Sequence, residues 1–245
     1  FGLASFQIPL IGLYGACSTC GLSLAMAAAL IVGGMAQYVA SVTSSHFASA
    51  EKEFRYPLGY GNQRPLSATW TVTGSGAFIL SSLKGKKDRA VITGLTIGKI
   101  VDLGMKDSMN MGACMAPAAS SLICQHFADF GRTPEDYDQI ITGDLGLVGQ
   151  RVLLDMLAEK GFDLSGKHMD CGIEIYDEKQ DAHAGGSGCG CSAVVLSALI
   201  LKKLEEGEWK RVLFVPTGAL LSKTSFNEGK SIPGIAHALV LERCS

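Results

Sequence analysis

Apolar runs alternate with polar breaks along the chain and predict an alternating order of strands and helices. The predicted strands cover 8–14, 37–44, 69–82, 90–101, 138–143, 210–216 and 235–242, and the predicted helices cover 17–33, 116–130, 146–160 and 191–206. A long polar stretch covers 45–68, and a polar loop covers 102–112. This regular exchange of strand and helix is typical of a layered α/β domain.

The two parts of the chain repeat one order of elements. Cys17 opens a helix of small residues that leads to a strand at Val39, and Cys191 opens another helix that leads to a strand at Leu213. The offset is 22 residues in both cases (39 − 17 and 213 − 191). Because a further strand ends each unit, we predict two copies of one topology.

Composition excludes several classes of protein. The 245 residues are 47% hydrophobic and 18% charged, which is too apolar for a disordered chain. A net charge of −2 without a long basic run gives no electrostatic basis for binding nucleic acid or an anionic membrane. The longest apolar stretch, 22–35, spans about 14 residues, whereas a membrane helix needs about 20.

We also expect earlier elements of the fold to be missing, because the chain opens on Phe1.

Eight cysteines leave three readings open: disulfides, a metal site or free thiols. A chain of this length needs no covalent staples, so we expect reduced thiols in a reducing compartment. Cys17 and Cys20 form one close pair and Cys189 and Cys191 another, which keeps a zinc or iron–sulfur site as an alternative. Since one pair opens a predicted helix, we predict no metal and no other cofactor.

Cys17 is the first candidate for chemistry. It lies between a predicted buried strand and the first turn of a helix, where backbone N–H groups and the helix dipole stabilise a thiolate, an oxyanion or a carboxylate. This position fits an acyl-transfer nucleophile or an anion site. A cysteine that only packs into a crowded turn is the plainer alternative.

Other candidates lie on loops that leave predicted strands, where α/β sheets place their ligands. His46 and His183 lie on two such loops, and Lys106 and Asn110 lie in the methionine-rich loop 102–112. Either histidine could be a plain surface side chain. The glycine-rich run at 185–190 matches no nucleotide-binding motif, so we attribute it to close packing.

Several motifs together resemble a known family. The chain is similar to the thiolase and ketoacyl-synthase superfamily, and in detail to the stage V sporulation protein AD family. The motifs that carry the resemblance are Leu13-Tyr-Gly-Ala-Cys-Ser-Thr19, His46-Phe-Ala-Ser-Ala-Glu51, Arg55-Tyr-Pro57, Gln63-Arg-Pro65, Trp70-Thr-Val-Thr-Gly-Ser-Gly76, Lys106-Asp107, Asn110-Met-Gly112, Thr142-Gly-Asp-Leu-Gly146 and His183-Ala-Gly-Gly-Ser-Gly-Cys-Gly190.

The resemblance implies a five-layered αβαβα fold of two duplicated halves whose amino-terminal elements are missing here. Residues 1–83 would be the remainder of the amino-terminal half and 84–245 the carboxy-terminal half. It also implies binding of dipicolinic acid (pyridine-2,6-dicarboxylate), free or as its calcium chelate, and a role in its uptake into the developing spore and in spore germination. The expected partners are membrane channel proteins of the same sporulation system and a second copy of the chain. The expected location is the forespore or spore, as a soluble protein at the inner spore membrane.

The residues favour binding over catalysis within this resemblance. Cys17 matches the nucleophile position of the superfamily, and His183 falls where thiolases carry His-Pro-x-Gly. Where condensing enzymes have His-Gln-Ala-Asn the chain reads Thr142-Gly-Asp-Leu145, and Pro216, at the thiolase Cys-x-Gly, cannot accept a proton. The old acyl pocket would thus be a dicarboxylate cleft, whose predicted ligand-binding residues are Cys17, Ser18, Thr19, His46, Arg55, Lys106, Asn110 and His183.

Two alternatives stay open. The first is an active acyl transferase or condensing enzyme that uses Cys17 as its nucleophile with His183. The second is a structural subunit that binds a membrane partner but no ligand.

Overall fold

A computed structural model describes residues 2, 4–51, 64–82 and 89–244. The strands are β1 (Tyr38–Ser45), β2 (Trp70–Thr71), β3 (Gly74–Ser81), β4 (Ala90–Ile97), β5 (Gln139–Thr142), β6 (His168–Asp170), β7 (Gly186–Ser187), β8 (Arg211–Val215), β9 (Thr217–Ala219) and β10 (Gly234–Arg243). The helices are α1 (Thr19–Val32), α2 (Phe47–Glu51), α3 (Met111–Phe130), α4 (Gly146–Ala158), α5 (Cys171–Glu174), α6 (Cys189–Val195), α7 (Leu201–Glu206) and α8 (Lys223–Asn227). One turn of π-helix, Leu196–Ile200, joins α6 to α7.

Two sheets carry most of the strands. The larger sheet has the order β4-β10-β8-β5-β6, and β9 pairs with β10 beside this path. In it, β5 is parallel to β8 and β6, and β10 is antiparallel to β4 and β8. The smaller sheet is the antiparallel pair β1-β3, and β2 and β7 form a short parallel pair.

Helices pack on both faces of the larger sheet. α3 lies against β10 and α4 on one face, and α1 lies between β10 and β1 on the other, with α6 against β1 and β3. The described residues therefore form four layers in the order α, β, α, β. The outer face of the β1-β3 pair is exposed, as Val42 and Ile79 are 63% and 79% exposed, and a fifth layer is not among the described residues.

α1 is built to fit between two sheets. Its small residues Cys20, Gly21 and Ala25 are buried, and a side chain at Gly21 would press on Pro216. A helix buried on two faces needs no polar side, which explains the long apolar sequence here. No helix in the described ranges combines the length and apolarity that crossing a bilayer requires.

The same order of elements occurs twice. α1 leads to β1, which pairs antiparallel with the later β3, and α6 with α7 leads to β8, which pairs antiparallel with the later β10. The predicted repeat therefore corresponds to a repeated helix–strand–strand unit. The predicted boundary at 83/84 lies outside the described residues and stays a prediction.

Several predicted elements need correction. The predicted strand 8–14 is an exposed coil, because no neighbouring strand among the described residues offers the hydrogen bonds that a strand requires. α3 begins at Met111, earlier than predicted, since the Asn110 side chain caps it by accepting from the Ala113 N–H at 3.3 Å. The segment between the predicted helices 146–160 and 191–206, where the sequence predicts no element, contains β6 and α5, which are too short to show a period.

Candidate functional site

The candidate site forms where the parallel strands β5 and β8 end. Thr142 at the end of β5 pairs with Val215 at the end of β8, so the residues that directly follow the two strands lie side by side. There the Thr217 hydroxyl donates to Asp144 Oδ1 at 2.8 Å. Asp144 is 1% exposed. The carboxyl ends of parallel strands are where α/β sheets bind their ligands.

Cys17 faces this carboxylate from a strained turn. Ala16 directly before it has φ +50°, a left-handed conformation that costs a non-glycine residue energy and often marks a functional turn. β9 packs tightly against the turn, because a methyl group at Gly218 would overlap the Gly15 carbonyl and crowd the Cys17 nitrogen. The turn thereby holds the Cys17 thiol in a hydrogen-bonding interaction with Asp144.

The loop before α6 closes the site from a third direction. The Gly188 N–H donates to Asp144 Oδ2 at 2.8 Å, and its φ of +102° with Ser45 close by leaves no room for a side chain. The next residue, Cys189, lies close enough to Cys17 to affect its ionisation, and its thiol donates to the Ser44 carbonyl at 3.2 Å. Two thiols and one carboxylate thus share the site.

Burial and like charge keep the Cys17 proton in place. Burial, the negative charge of Asp144 and the hydrogen bond between them raise the pKa of Cys17 well above its ordinary value. Burial also raises the pKa of Asp144 to about 6. A thiol is reactive as the thiolate, and burial together with the negative charge of Asp144 opposes formation of the Cys17 thiolate. Cys17 is therefore a neutral thiol and a poor nucleophile in this arrangement.

A second buried carboxylate holds the loop that carries Asp144. Asp170 accepts from the Thr142 hydroxyl at 2.6 Å and from the backbone N–H groups of Leu145 at 2.9 Å and Gly146 at 2.9 Å. It also accepts from the Gly172 N–H at 3.0 Å. These bonds fix the chain on both sides of the Asp144 side chain.

Ser18 and Thr19, predicted to hold a ligand carboxylate, are engaged within their own turn. The Ser18 hydroxyl and N–H donate to the Gly15 carbonyl at 2.6 and 3.0 Å. The Thr19 hydroxyl donates to Ala16 O at 2.7 Å and accepts from the Gly15 N–H at 3.0 Å. In this structure both side chains stabilise the turn, and a ligand contact stays a prediction.

The other predicted residues lie at separate places around the sheet edge. His46 is exposed at the end of β1, Lys106 is exposed in its loop, and Asn110 caps α3. Arg55 lies outside the described residues. The structure records no contact between the described members of this group and Cys17, so their convergence on one ligand stays a prediction.

His183 makes its contacts away from Cys17. Its Nδ1 lies 3.0 Å from the Pro65 carbonyl oxygen and its Nε2 lies 3.4 Å from Asp181 Oδ1. Beside it, a half-open cavity of about 430 Å³ is lined by Arg64, Trp70, Tyr176, Gln180, Asp181 and Ala182. The lining of this cavity does not include His183, and the structure shows no Cys17–His183 pair among the described residues.

Sequence reasoning missed the groups that do face Cys17. Asp144 was visible only as a departure from the superfamily motif, although its place directly after a predicted parallel strand was a usable signal. Thr217 follows Pro216, at which the sequence departs from the thiolase Cys-x-Gly motif. Cys189 was considered only as part of the alternative zinc or iron–sulfur site. The glycine-rich run does serve close packing, as predicted, since a side chain at Gly190 would overlap Gly74 O.

The cysteines do not gather around a metal. All eight are free thiols. Within the described ranges, no three His, Cys, Asp or Glu side chains are grouped so that they could hold a metal ion. The close cysteine pairs at 17/20 and 189/191 therefore form no metal site in this structure.

The fold is that of thiolase-like condensing enzymes. It matches the tetronic acid condensing enzyme AbyA1 with a TM-score of 0.60 and 16% identity, over 96% of this chain and 69% of that one. It also matches 3-oxoacyl-[acyl-carrier-protein] synthase III from Aquifex aeolicus VF5 with a TM-score of 0.59 and 14% identity, over 98% and 69% of the two chains. At these identities the likeness establishes the thiolase-like fold alone, which confirms the predicted fold class.

Within that class the sequence defines the family. The family model of stage V sporulation protein AD (SpoVAD) matches residues 1–242. This chain belongs to the stage V sporulation protein AD family, as its motifs indicated. Stage V sporulation protein AD of Bacillus subtilis (strain 168) is 50% identical over 237 residues, which cover 97% of this chain and 69% of that protein.

Proposed function

We propose that this sporulation protein binds dipicolinic acid at the Cys17–Asp144 site and supports its uptake into the developing spore, without catalysing a reaction. Membership of the stage V sporulation protein AD family supports the setting. Membrane channel proteins of the same system are the proposed partners, and the inner spore membrane is the proposed location. The candidate site lies where β5 and β8 end, and the carboxyl ends of parallel strands are where α/β sheets bind their ligands.

The pairing of Cys17 with Asp144 is the observation that carries the proposal. Covalent catalysis needs a thiolate, which a neighbouring base or positive charge would favour. Here the thiol faces a buried carboxylate that raises its pKa, so the group is held in its unreactive form. What remains is a buried polar site with the hydrogen-bonding groups of Thr217, Gly188 and two thiols.

In the proposal, a flat aromatic dicarboxylate binds at this polar site together with nearby cationic groups. Binding sites for small ligands combine apolar walls with a few polar groups that fix orientation. The ligand-binding residues predicted from the sequence include His46, Arg55, Lys106 and His183, which are of the types that pair with carboxylates. In this proposal Cys17 and Asp144 form the floor of the site and those four residues neutralise the ligand.

Isothermal titration calorimetry of the purified protein with pyridine-2,6-dicarboxylate tests the proposal. We expect saturable binding, weaker binding of benzene-1,3-dicarboxylate, which lacks the ring nitrogen, and at least about tenfold weaker binding by Cys17→Ala and Arg55→Ala. Cys244→Ala, a matched thiol substitution after β10, should bind as the wild type does. Absence of heat at millimolar ligand would overturn the proposal.

An active acyl transferase is the second candidate, favoured by the strained Ala16 turn that presents Cys17 in a condensing-enzyme fold. Incubation with acyl coenzyme A thioesters followed by peptide mass spectrometry distinguishes the two functions. Our proposal predicts an unmodified Cys17. Stoichiometric acylation that Cys17→Ala abolishes would establish the enzyme instead, and a stable membrane complex without any ligand response would identify a structural subunit.

A further inference from the structure

We infer that Asp144 is itself a ligand-binding residue and that it acts in its protonated form, so that binding of one dicarboxylate anion takes up one proton from solvent. This inference rests on the function proposed above and specifies how the same site is regulated. It makes ligand affinity a function of pH.

Every titratable group recorded near Asp144 is an acid or a thiol. Cys17 faces it from the turn before α1, Cys189 from the start of α6, and Asp170 from the end of β6. Cys171 on α5 and Cys191 on α6 are also near enough for its charge to raise their pKa values. β9 contributes the uncharged Thr217. None of these groups supplies a positive charge.

An ionised Asp144 would oppose an anionic ligand. Two like charges within contact distance repel strongly in a buried site, because little water is present to screen them. The protonated carboxyl removes this repulsion and offers an O–H donor to a ligand carboxylate, which makes a strong, charge-assisted hydrogen bond. The bond formed is between the Asp144 hydroxyl and a ligand oxygen, and the proton comes from water.

The hydrogen bonds around Asp144 leave room for a proton on its carboxylate. The Gly188 N–H and the Thr217 hydroxyl satisfy one lone pair on each Asp144 oxygen, and the Cys17 thiol engages a third, which leaves the fourth lone pair free to take the proton. Asp170 differs, because its four donors occupy the corresponding positions on both oxygens. Burial already raises the pKa of free Asp144 to about 6, so protonation is accessible near neutral pH.

The size of the effect follows from one-proton linkage. Affinity is highest below pH 6 and falls as pH rises, by about 50-fold between pH 6 and pH 8 for a free-state pKa of about 6. At pH 7 about 0.9 proton is taken up for each ligand bound. The ligand's own carboxyl groups stay ionised over this range.

Calorimetry in two buffers of different ionisation enthalpy measures this proton uptake directly, in the absence of divalent cations. The wild type should show the uptake and the pH dependence given above. Asp144→Asn, which is permanently uncharged, should bind with an affinity that changes less than about twofold from pH 6 to 8. Asp138→Asn is the matched control, because Asp138 accepts two backbone N–H groups at the opposite end of β5, and it should retain the wild-type behaviour.

The outcomes separate this inference from the proposed function. Saturable wild-type binding without proton uptake, or with an affinity that rises with pH, overturns the role of Asp144 and leaves the proposed function intact. Full pH dependence in Asp144→Asn assigns the proton to another group and also overturns it. Absence of wild-type binding at every pH overturns the proposed function itself.

Discussion

Two buried carboxylates lie at the ends of the neighbouring strands β5 and β6 and differ in how completely they are satisfied. Asp170 is 0% exposed and accepts four hydrogen bonds, three of them from backbone N–H groups. Asp144 is 1% exposed and accepts one backbone N–H and one hydroxyl, with the Cys17 thiol as its third neighbour. Burial is thus the same, and only the donors differ.

The difference teaches how to separate a structural acid from a functional one in this fold. Buried polar groups are normally satisfied by hydrogen bonds, and an acid with a full set of donors holds the chain together. An acid with spare capacity beside a thiol is available to a ligand or a proton.

The largest effect is expected at Asp170. In Asp170→Asn one oxygen becomes an NH₂ group that faces backbone N–H donors, so at least one buried N–H loses its acceptor. We expect a loss of about 3 to 5 kcal/mol in the free energy of unfolding, measured by urea denaturation at pH 7.

Asp155→Asn on the exposed side of α4 is the control and should change stability by less than about 0.5 kcal/mol. A loss at Asp170 no larger than in this control would remove the basis of the comparison, because the four hydrogen bonds would then contribute nothing measurable.

Much of the fold could be predicted from the sequence, for reasons that particular elements show. α1 and β10 are long apolar segments, so the sequence places them well. The prediction of a strand at 8–14 was wrong, because an apolar pattern indicates only a preference for extended backbone. A strand also needs a partner strand to accept and donate its hydrogen bonds. β6 was missed for the opposite reason, since its three residues pair with β5 although only Met169 among them is apolar.

The candidate site was less accessible to sequence reasoning. Cys17 was found because its place at a strand–helix turn is a local feature. Its neighbour Asp144 lies more than a hundred residues away, and only the register of β5 with β8 brings it to Thr217 and the turn. Ser18 and Thr19 were assigned to a ligand, whereas short-range hydrogen bonds within the turn already engage their hydroxyls.

A smaller effect with a distinctive pH dependence is expected at Asp144. Its folded-state pKa of about 6 lies above the value of about 4 in an unfolded chain, so its contribution to stability is present at low pH and is lost as pH rises through 6. Asn does not titrate. The stability of Asp144→Asn relative to wild type should therefore improve by about 2 kcal/mol between pH 4 and pH 7, measured by urea denaturation across this range.

At the structural level the substitution is tolerable, because the Thr217 hydroxyl can turn to accept from the new amide while the amide oxygen keeps the Gly188 N–H. Asp138→Asn provides the matched control and should show no such improvement with pH. If Asp144→Asn instead loses as much stability as Asp170→Asn at every pH, Asp144 is a structural acid and the distinction fails.

The smallest effect concerns the thiol that Asp144 faces. Burial comes first among the causes that raise the pKa of Cys17, and the charge of Asp144 comes second. Removing that charge in Asp144→Asn should increase the thiolate fraction and speed alkylation of Cys17 by iodoacetamide about tenfold at pH 8, followed by peptide mass spectrometry. Burial remains, so Cys17 should still react slowly.

Cys244, which is partly exposed after β10, serves as the reference thiol in the same sample, and its rate should be equal in both proteins. Equal alkylation rates for Cys17 in wild type and variant would show that the Asp144 carboxylate does not affect the ionisation of the thiol. Because the neutral state of Cys17 is what distinguishes this site from that of a condensing enzyme, such a result would return the acyl-transfer alternative to first place.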